Sequence, residues 1–147
     1  MKITITKSLV GAALIGSSLL FLFSFQKHQD VQKTYEKGVK LFQKNYENYS
    51  YYIEGVGNVK IDNVTLNDVS LTTDYHYFSE GENRKGNSFH KLQPDGSYKG
   101  TWKTTADNGN YYQGNSSYKF NEDGTAFGKW DWSGMPGIYE IRIDKNE

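Results

Sequence analysis

A chain of 147 residues has room for one domain and a leader, and without cysteine it has no disulfide framework, thiol nucleophile, thiolate metal site or lipid-modified cysteine. Formal charge is zero overall, and once Lys2 and Lys7 are set aside the remainder carries 15 basic and 17 acidic residues. That balance argues against nucleic acid as a partner, because phosphate binding needs a concentrated basic surface.

Ser8 to Phe25 is an uninterrupted run of 18 uncharged residues. As a helix it would extend roughly 27 Å, close to the hydrocarbon thickness of a bilayer. Lys2 and Lys7 precede it, whereas Lys27 and Lys33 behind it are partly offset by Asp30 and Glu36, so the positive-inside rule predicts a cytoplasmic N-terminus and an extracytoplasmic domain. Leu22-Phe23-Ser24-Phe25-Gln26 is a poor signal-peptidase site, which wants small residues at the first and third positions before the cut. Residues 1–26 are therefore expected to remain as a single-pass anchor in the cell membrane; if they were cleaved, the domain would be secreted.

Behind the leader, Val31, Tyr35, Val39, Phe42, Tyr46, Tyr49 and Ile53 recur at spacings of three and four, the stripe of an amphipathic helix, and predict one over 27–53. Asp30 is its expected N-cap. Lys33, Lys37, Lys40 and Lys44 mark a second face, which is expected to lie in water while the aromatic stripe packs on the following sheet. Gly38 weakens this helix without forbidding it.

From 54 to 147 the helical period gives way to alternation among Gly, Asn, Asp, Thr and Tyr. Val59 to Thr73 carries a five-residue pattern, read as two short strands bent at Asp62-Asn63 and Asn67-Asp68, and Leu71 to Phe78 as a further strand. Next comes a repeat at 28 residues: His90-Lys91-Leu92-Gln93-Pro94-Asp95-Gly96-Ser97-Tyr98-Lys99-Gly100-Thr101-Trp102 matches Tyr118-Lys119-Phe120-Asn121-Glu122-Asp123-Gly124-Thr125-Ala126-Phe127-Gly128-Lys129-Trp130. Each copy (90–102 and 118–130) reads as a β-hairpin. Its type I turn starts at Pro94 or Glu122 and is closed by a positive-φ glycine, which makes Asp95, Gly96, Asp123 and Gly124 structural turn residues. Alternation places Tyr98, Gly100, Trp102 and Thr104 on one face, with Ala126, Gly128, Trp130 and Trp132 as their counterparts, and Lys99, Lys103, Lys119 and Lys129 on the other. Asp107-Asn108-Gly109-Asn110 is the expected turn between hairpins. Ser133 to Gly137 leads into a last strand, Ile138 to Ile143, with Tyr139, Ile141 and Ile143 facing in.

The Asp-Gly turn followed by Gly-x-Trp resembles the hairpins of bacterial lipocalin-like barrels and, in part, the hairpin units of MORN arrays. Both resemblances are confined to the two hairpins. The fold class expected is α+β or mainly β: a membrane-spanning segment, an amphipathic helix, then an antiparallel meander of about six strands forming a small barrel or a helix-covered sheet.

His28, His76 and His90 are not spaced to form a metal motif, no Gly-rich phosphate loop opens a helix, and no serine sits in a nucleophile elbow. Glu80 with Glu82 and Glu122 with Asp123 lie in polar turn regions. Neither metal nor cofactor is expected. The candidate ligand site is Tyr111 and Tyr112 with Asn108, Asn110 and Gln113, rings beside amides that suit a sugar face, while the tryptophans are assigned to the core. The sequence thus points to a non-enzymatic binding module on the outer face of the cytoplasmic membrane, its partner a protein or an envelope glycan. A pilin-like or secretion-apparatus subunit is the alternative, and a small envelope enzyme a second one with nothing in the sequence to favour it. Mass spectrometry of the membrane fraction is expected to find Met1 or Lys2 at the N-terminus; a mature chain beginning near Gln26 in the medium would contradict a retained anchor.

Overall fold

The computed structural model describes Lys33, residues 35–132 and residues 134–146. The chain divides into a unit Met1–Lys33 and a unit Thr34–Glu147, and the second is a closed antiparallel barrel preceded by a helix. Ser8 to Phe25, His28 and Asp30 lie outside the described residues; among those described, no helix is long and apolar enough to cross a membrane.

Helix α1 runs through 35–45 and passes into a single 3-10 turn, Tyr46–Asn48. Eight strands follow: β1 Tyr49–Ile53, β2 Gly57–Asn67, β3 Ser70–Ser79, β4 Glu82–Leu92, β5 Tyr98–Ala106, β6 Tyr111–Phe120, β7 Ala126–Trp132 and β8 Met135–Lys145. Each pairs with its sequence neighbour, and β1 pairs with β8 to close the barrel. The closing register runs from Tyr49 opposite Lys145 to Ile53 opposite Ile141. Asn146 N–H to Asn48 O at 2.9 Å and Glu54 N–H to Glu140 O at 2.9 Å extend it at both ends.

Two expectations change. There are eight strands instead of about six, and the helix ends at 45 instead of 53, so the β domain begins at Tyr49 and not at 54. The reason is shared: Tyr49 and Ile53 continue the helical stripe but with Tyr51 also satisfy a two-residue period, and pairing with both β2 and β8 satisfies the backbone groups of β1. The segment read as two short strands is one long strand, β2, with a bulge between Ile61 and Asn63, turning into β3 after Asn67. The last strand already begins at Met135.

Alternation sorts the wall cleanly. Along β5, Tyr98, Thr104 and Ala106 are buried and Trp102 half-buried, while Lys99, Thr101, Lys103 and Thr105 are exposed. Eight strands enclose a space that side chains can fill, and at one end they do. Tyr98, Phe120, Leu71, Ile143 and His90 are almost completely buried there together with Val39 and Phe42 of α1. The Phe42 ring lies 5.4 Å from Tyr49, edge to face, and 5.3 Å from Phe120. Helix α1 is therefore the plug of that end, while Lys40 and Lys44 remain exposed.

The plug rests on the two repeated turns, which share one set of bonds. Gly96 N–H donates to Gln93 O and Gln93 N–H to Ser97 O, as Gly124 N–H donates to Asn121 O and Asn121 N–H to Thr125 O, at 2.8–3.0 Å. Asp95 Oδ1 accepts from Ser97 N–H, and Asp123 Oδ1 from Thr125 N–H, both at 3.0 Å. The glycines have φ of 78° and 85°, and both sit against the helix end. A Cβ on Gly96 would overlap the Tyr35 ring, and one on Gly124 the Tyr49 hydroxyl. From the helix side, a Cβ on Gly38 would overlap the carbonyl oxygen of Asn121. Tyr49 O–H donates to Asp123 O at 2.7 Å and fastens the start of β1 to the same turn.

Within this half His90 is fully buried; its Nε2 is 2.7 Å from Ser116 Oγ and its Nδ1 3.0 Å from the Tyr118 hydroxyl. Burial pulls its pKa down from 6.5 to about 4, so the imidazole is neutral in the folded protein.

Gly38→Ala is expected to lower the unfolding free energy by about 1–3 kcal/mol, although alanine is the better helix former by about 1 kcal/mol. Gly96→Val and Gly124→Val should each cost more than about 1 kcal/mol for a branched residue at positive φ. Urea denaturation measures all three, and a Gly38→Ala variant as stable as the native protein would mean the helix does not seat on the Asn121 turn. His90 predicts a pH dependence. The unfolded chain takes up its proton near pH 6.5 and the folded one only near 4, so stability is complete above about 6.5 and falls as pH is lowered toward 4, by on the order of 3 kcal/mol. His90→Gln should flatten the curve in that window; an unchanged curve would assign the loss to other groups.

Candidate functional site

Among the described residues, no element plugs the opposite end of the barrel. There the inward positions alternate rings with short hydroxyl side chains: Tyr75, Trp102, Tyr112 and Trp130 against Ser79, Ser88, Thr104 and Ser116. The small residues leave unfilled a cavity of about 210 Å³, which opens between the β1–β2 and β3–β4 turns. An apolar cavity of about 150 Å³ takes benzene, so this space accommodates one ring with a substituent or a compact bicycle.

The rings form a connected wall. Trp102 and Trp130 meet edge to face at 5.4 Å, as do Tyr112 and Trp132 at 5.4 Å, while Trp130 lies 5.1 Å from Tyr139. Trp102 is held by its Nε1–H donating to Asp131 O at 3.0 Å, across the place where β7 bulges between Trp130 and Trp132. Tyr75 O–H donates to Lys103 O at 3.2 Å and shares a 2.9 Å bond with Thr104 Oγ1. Burial holds the Tyr75 and Tyr51 hydroxyls far above their usual range, so both are neutral.

Setting tyrosines aside, the ionisable groups in the cavity lining are Arg84 and Glu80. Arg84 comes from the start of β4, with its side chain 11% exposed, whereas Glu80, at the β3–β4 turn, is 78% exposed. Arg84 Nη2 donates to Glu80 Oε2, and its Cζ stands 4.9 Å from the centre of the Tyr112 ring. Burial opposes the charge on Arg84, but its bonds to Tyr77 and Glu80 outweigh this and keep the group charged. Two buried donors in the lining have no acceptor, Arg84 Nε and Trp130 Nε1.

The expected ligand residues separate. Tyr112 lies in the cavity wall, but Tyr111, its neighbour on β6, points outward and is 55% exposed. Tyr111 O–H donates to Gln113 Oε1 at 3.2 Å, and both line a depression on the outer wall with Phe89 and Asn115. Asn108 and Asn110 form the β5–β6 turn at the open end. There Asn108 Oδ1 accepts from Asn110 N–H at 2.8 Å and its Nδ2–H donates to Glu82 Oε1 at 2.7 Å. Sequence reasoning missed Arg84, one of two arginines in a chain that otherwise uses lysine.

Ser116 and His90 are in hydrogen-bond contact inside the barrel. His90 Nε2 lies 2.7 Å from Ser116 Oγ and Nδ1 3.0 Å from the Tyr118 hydroxyl, so both ring nitrogens are engaged. The bond to Ser116 braces the wall between β4 and β6. Among the described residues no group of three or more His, Asp or Glu could hold a metal ion. No protein-family model matches the sequence, and no curated protein or solved structure is significantly similar to it.

Proposed function

We propose that the protein is a non-enzymatic binding module whose open barrel end takes up one small ring-bearing molecule. Ser8 to Phe25 would hold it on the outer face of the cytoplasmic membrane. The observation that carries this reading is the contrast between the two ends: one is filled by α1, and the other keeps a cavity of about 210 Å³ walled by aromatic rings. Small-molecule sites are concave, mostly apolar and furnished with a few polar groups, and an eight-stranded barrel is of a size to hold one small ligand. A single sugar unit at the end of an envelope glycan is compatible with this space; the middle of a long strand, or a protein surface, is not.

A second reading keeps a glycan or protein on the outer wall of β4 to β6. Phe89, 45% exposed, and Tyr111, 55% exposed, favour it by lining the same depression as Gln113. The two readings differ in which neighbour on β6 matters.

All three tryptophans of the chain line the open-end cavity, so their fluorescence reports occupancy. The neutral nitroaromatic 4-nitrobenzamide is expected to quench it saturably. Ser79→Phe, which puts a ring into the opening, should abolish the saturable component. Tyr112→Ala should weaken binding roughly fivefold, about 1 kcal/mol of ring contact, while Tyr111→Ala leaves it unchanged. Purely linear quenching, or saturable quenching that survives Ser79→Phe, would remove the open end as the site; sensitivity to Tyr111→Ala alone would move it to the outer wall.

A further inference from the structure

We propose that the ligand of the open end is a small monoanionic ring compound, a carboxylate, and that Arg84 receives it by releasing Glu80. The inference rests on the open end being the binding site and names the chemistry of what enters.

A guanidinium carries five donors in a planar fork that matches the two oxygens of a carboxylate. In this wall the fork is only part used. The guanidinium is bonded to Glu80 through Nη2 and also to Tyr77, the Tyr112 ring lies 4.9 Å from Cζ, and Nε is out of contact with water and has no acceptor. A buried donor left unpaired costs about 1–3 kcal/mol, more when charged, and Trp130 Nε1 in the same lining is in the same condition. Neither of these nitrogens reaches the open space, so what the cavity offers an anion is the Nη end of Arg84 that Glu80 now holds, and among the described residues Glu80 is the only acidic side chain in the lining. The serine, threonine and tyrosine hydroxyls of the lining can donate or accept, whereas Arg84 can only donate. A carboxylate needs donors alone.

Glu80 is placed to yield. Its side chain is 78% exposed against 11% for Arg84, so water can solvate the carboxylate once it lets go, whereas the arginine cannot follow it out without leaving its ring. Glu80 is also the one described non-glycine residue with positive φ, 54°, in the two-residue turn with Gly81, a conformation that costs a residue with a Cβ roughly 1 kcal/mol or more. A ligand carboxylate in the cavity would replace one charge partner by another, and the net charge around Arg84 would be unchanged. With a single cation in the lining, a dianion would carry an uncompensated charge into the barrel, hence the restriction to one.

The test uses the full chain and an isosteric pair, 4-nitrobenzoate and 4-nitrobenzamide, read by tryptophan quenching at neutral pH. The anion is expected to bind about tenfold more tightly than the amide. Glu80→Gln should tighten the anion several-fold and leave the amide unchanged, and Arg84→Gln should remove the preference. Glu82→Gln makes the same charge change nearby in β4 without touching Arg84 and should leave the anion's affinity within about twofold of the native value. Equal affinities, or an anion affinity that Glu80→Gln does not raise or that Glu82→Gln raises equally, overturn the proposal while saturable amide binding keeps the open-end reading. Failure of both probes to bind overturns both. Because Glu80 is exposed, its variant decides the matter even if Arg84→Gln unfolds.

Discussion

The pairing of β1 with β8 is the constraint on which the rest depends. A sheet of eight strands left open would present two hydrogen-bonding edges and a curved face with nothing to cover it; closed, it has no edge and an interior of fixed width. Five residues of β1 make that closure, and Tyr49 at its start also bonds the Asp123 carbonyl. The same short segment completes the cylinder and ties it to the turn on which the helix sits.

Once the width is set, the two ends must be dealt with separately. At one, α1 contributes Val39 and Phe42 to a stack with Tyr98 and Phe120, and the interior has no space left. At the other, no element crosses the opening among the described residues, and serine and threonine occupy inward positions where larger side chains would have filled the space. Polar groups at the boundary are neutralised by wiring and not by charge: His90 is bonded on both nitrogens, and Tyr75 bonds both Lys103 O and Thr104. Arg84 is the exception, a cation kept in the wall with donors to spare.

A helix followed by a mainly β domain was legible from period alone, because α1 carries a stripe and the wall alternates. The repeated turns were legible because an Asp-Gly step has few conformations open to it. The helix boundary was not, since Tyr49 and Ile53 satisfy two periods at once and pairing with β2 and the distant β8 decides between them. Strand count failed for the same reason, β1 being hidden in the stripe and the bulge at Asp62 disguising the length of β2. Tyr111 and Tyr112 share a place beside the Asn108-Gly109 turn, but on a strand adjacent residues occupy opposite faces, and the wall puts one outside and one within. The value of Gly38 was invisible for a different reason. Helix propensity counts a glycine as a defect, and only the approach of the Asn121 carbonyl shows what its missing side chain permits.

The sequence repeat has a consequence for how this protein can change. A unit of two strands and their connecting turn, copied once, returns the chain to the same end of the cylinder, so both copies of the Asp-Gly turn lie beneath the helix. The connections at the far end fall between or outside the copies and bear no such relation to one another. Glu80-Gly81, Asp107 to Asn110 and the link from Trp132 to Met135 each have their own length and composition. Positions on which folding depends are thus gathered at the pole beneath the helix, and those that would meet a ligand under the proposed reading at the other, a strand's length away.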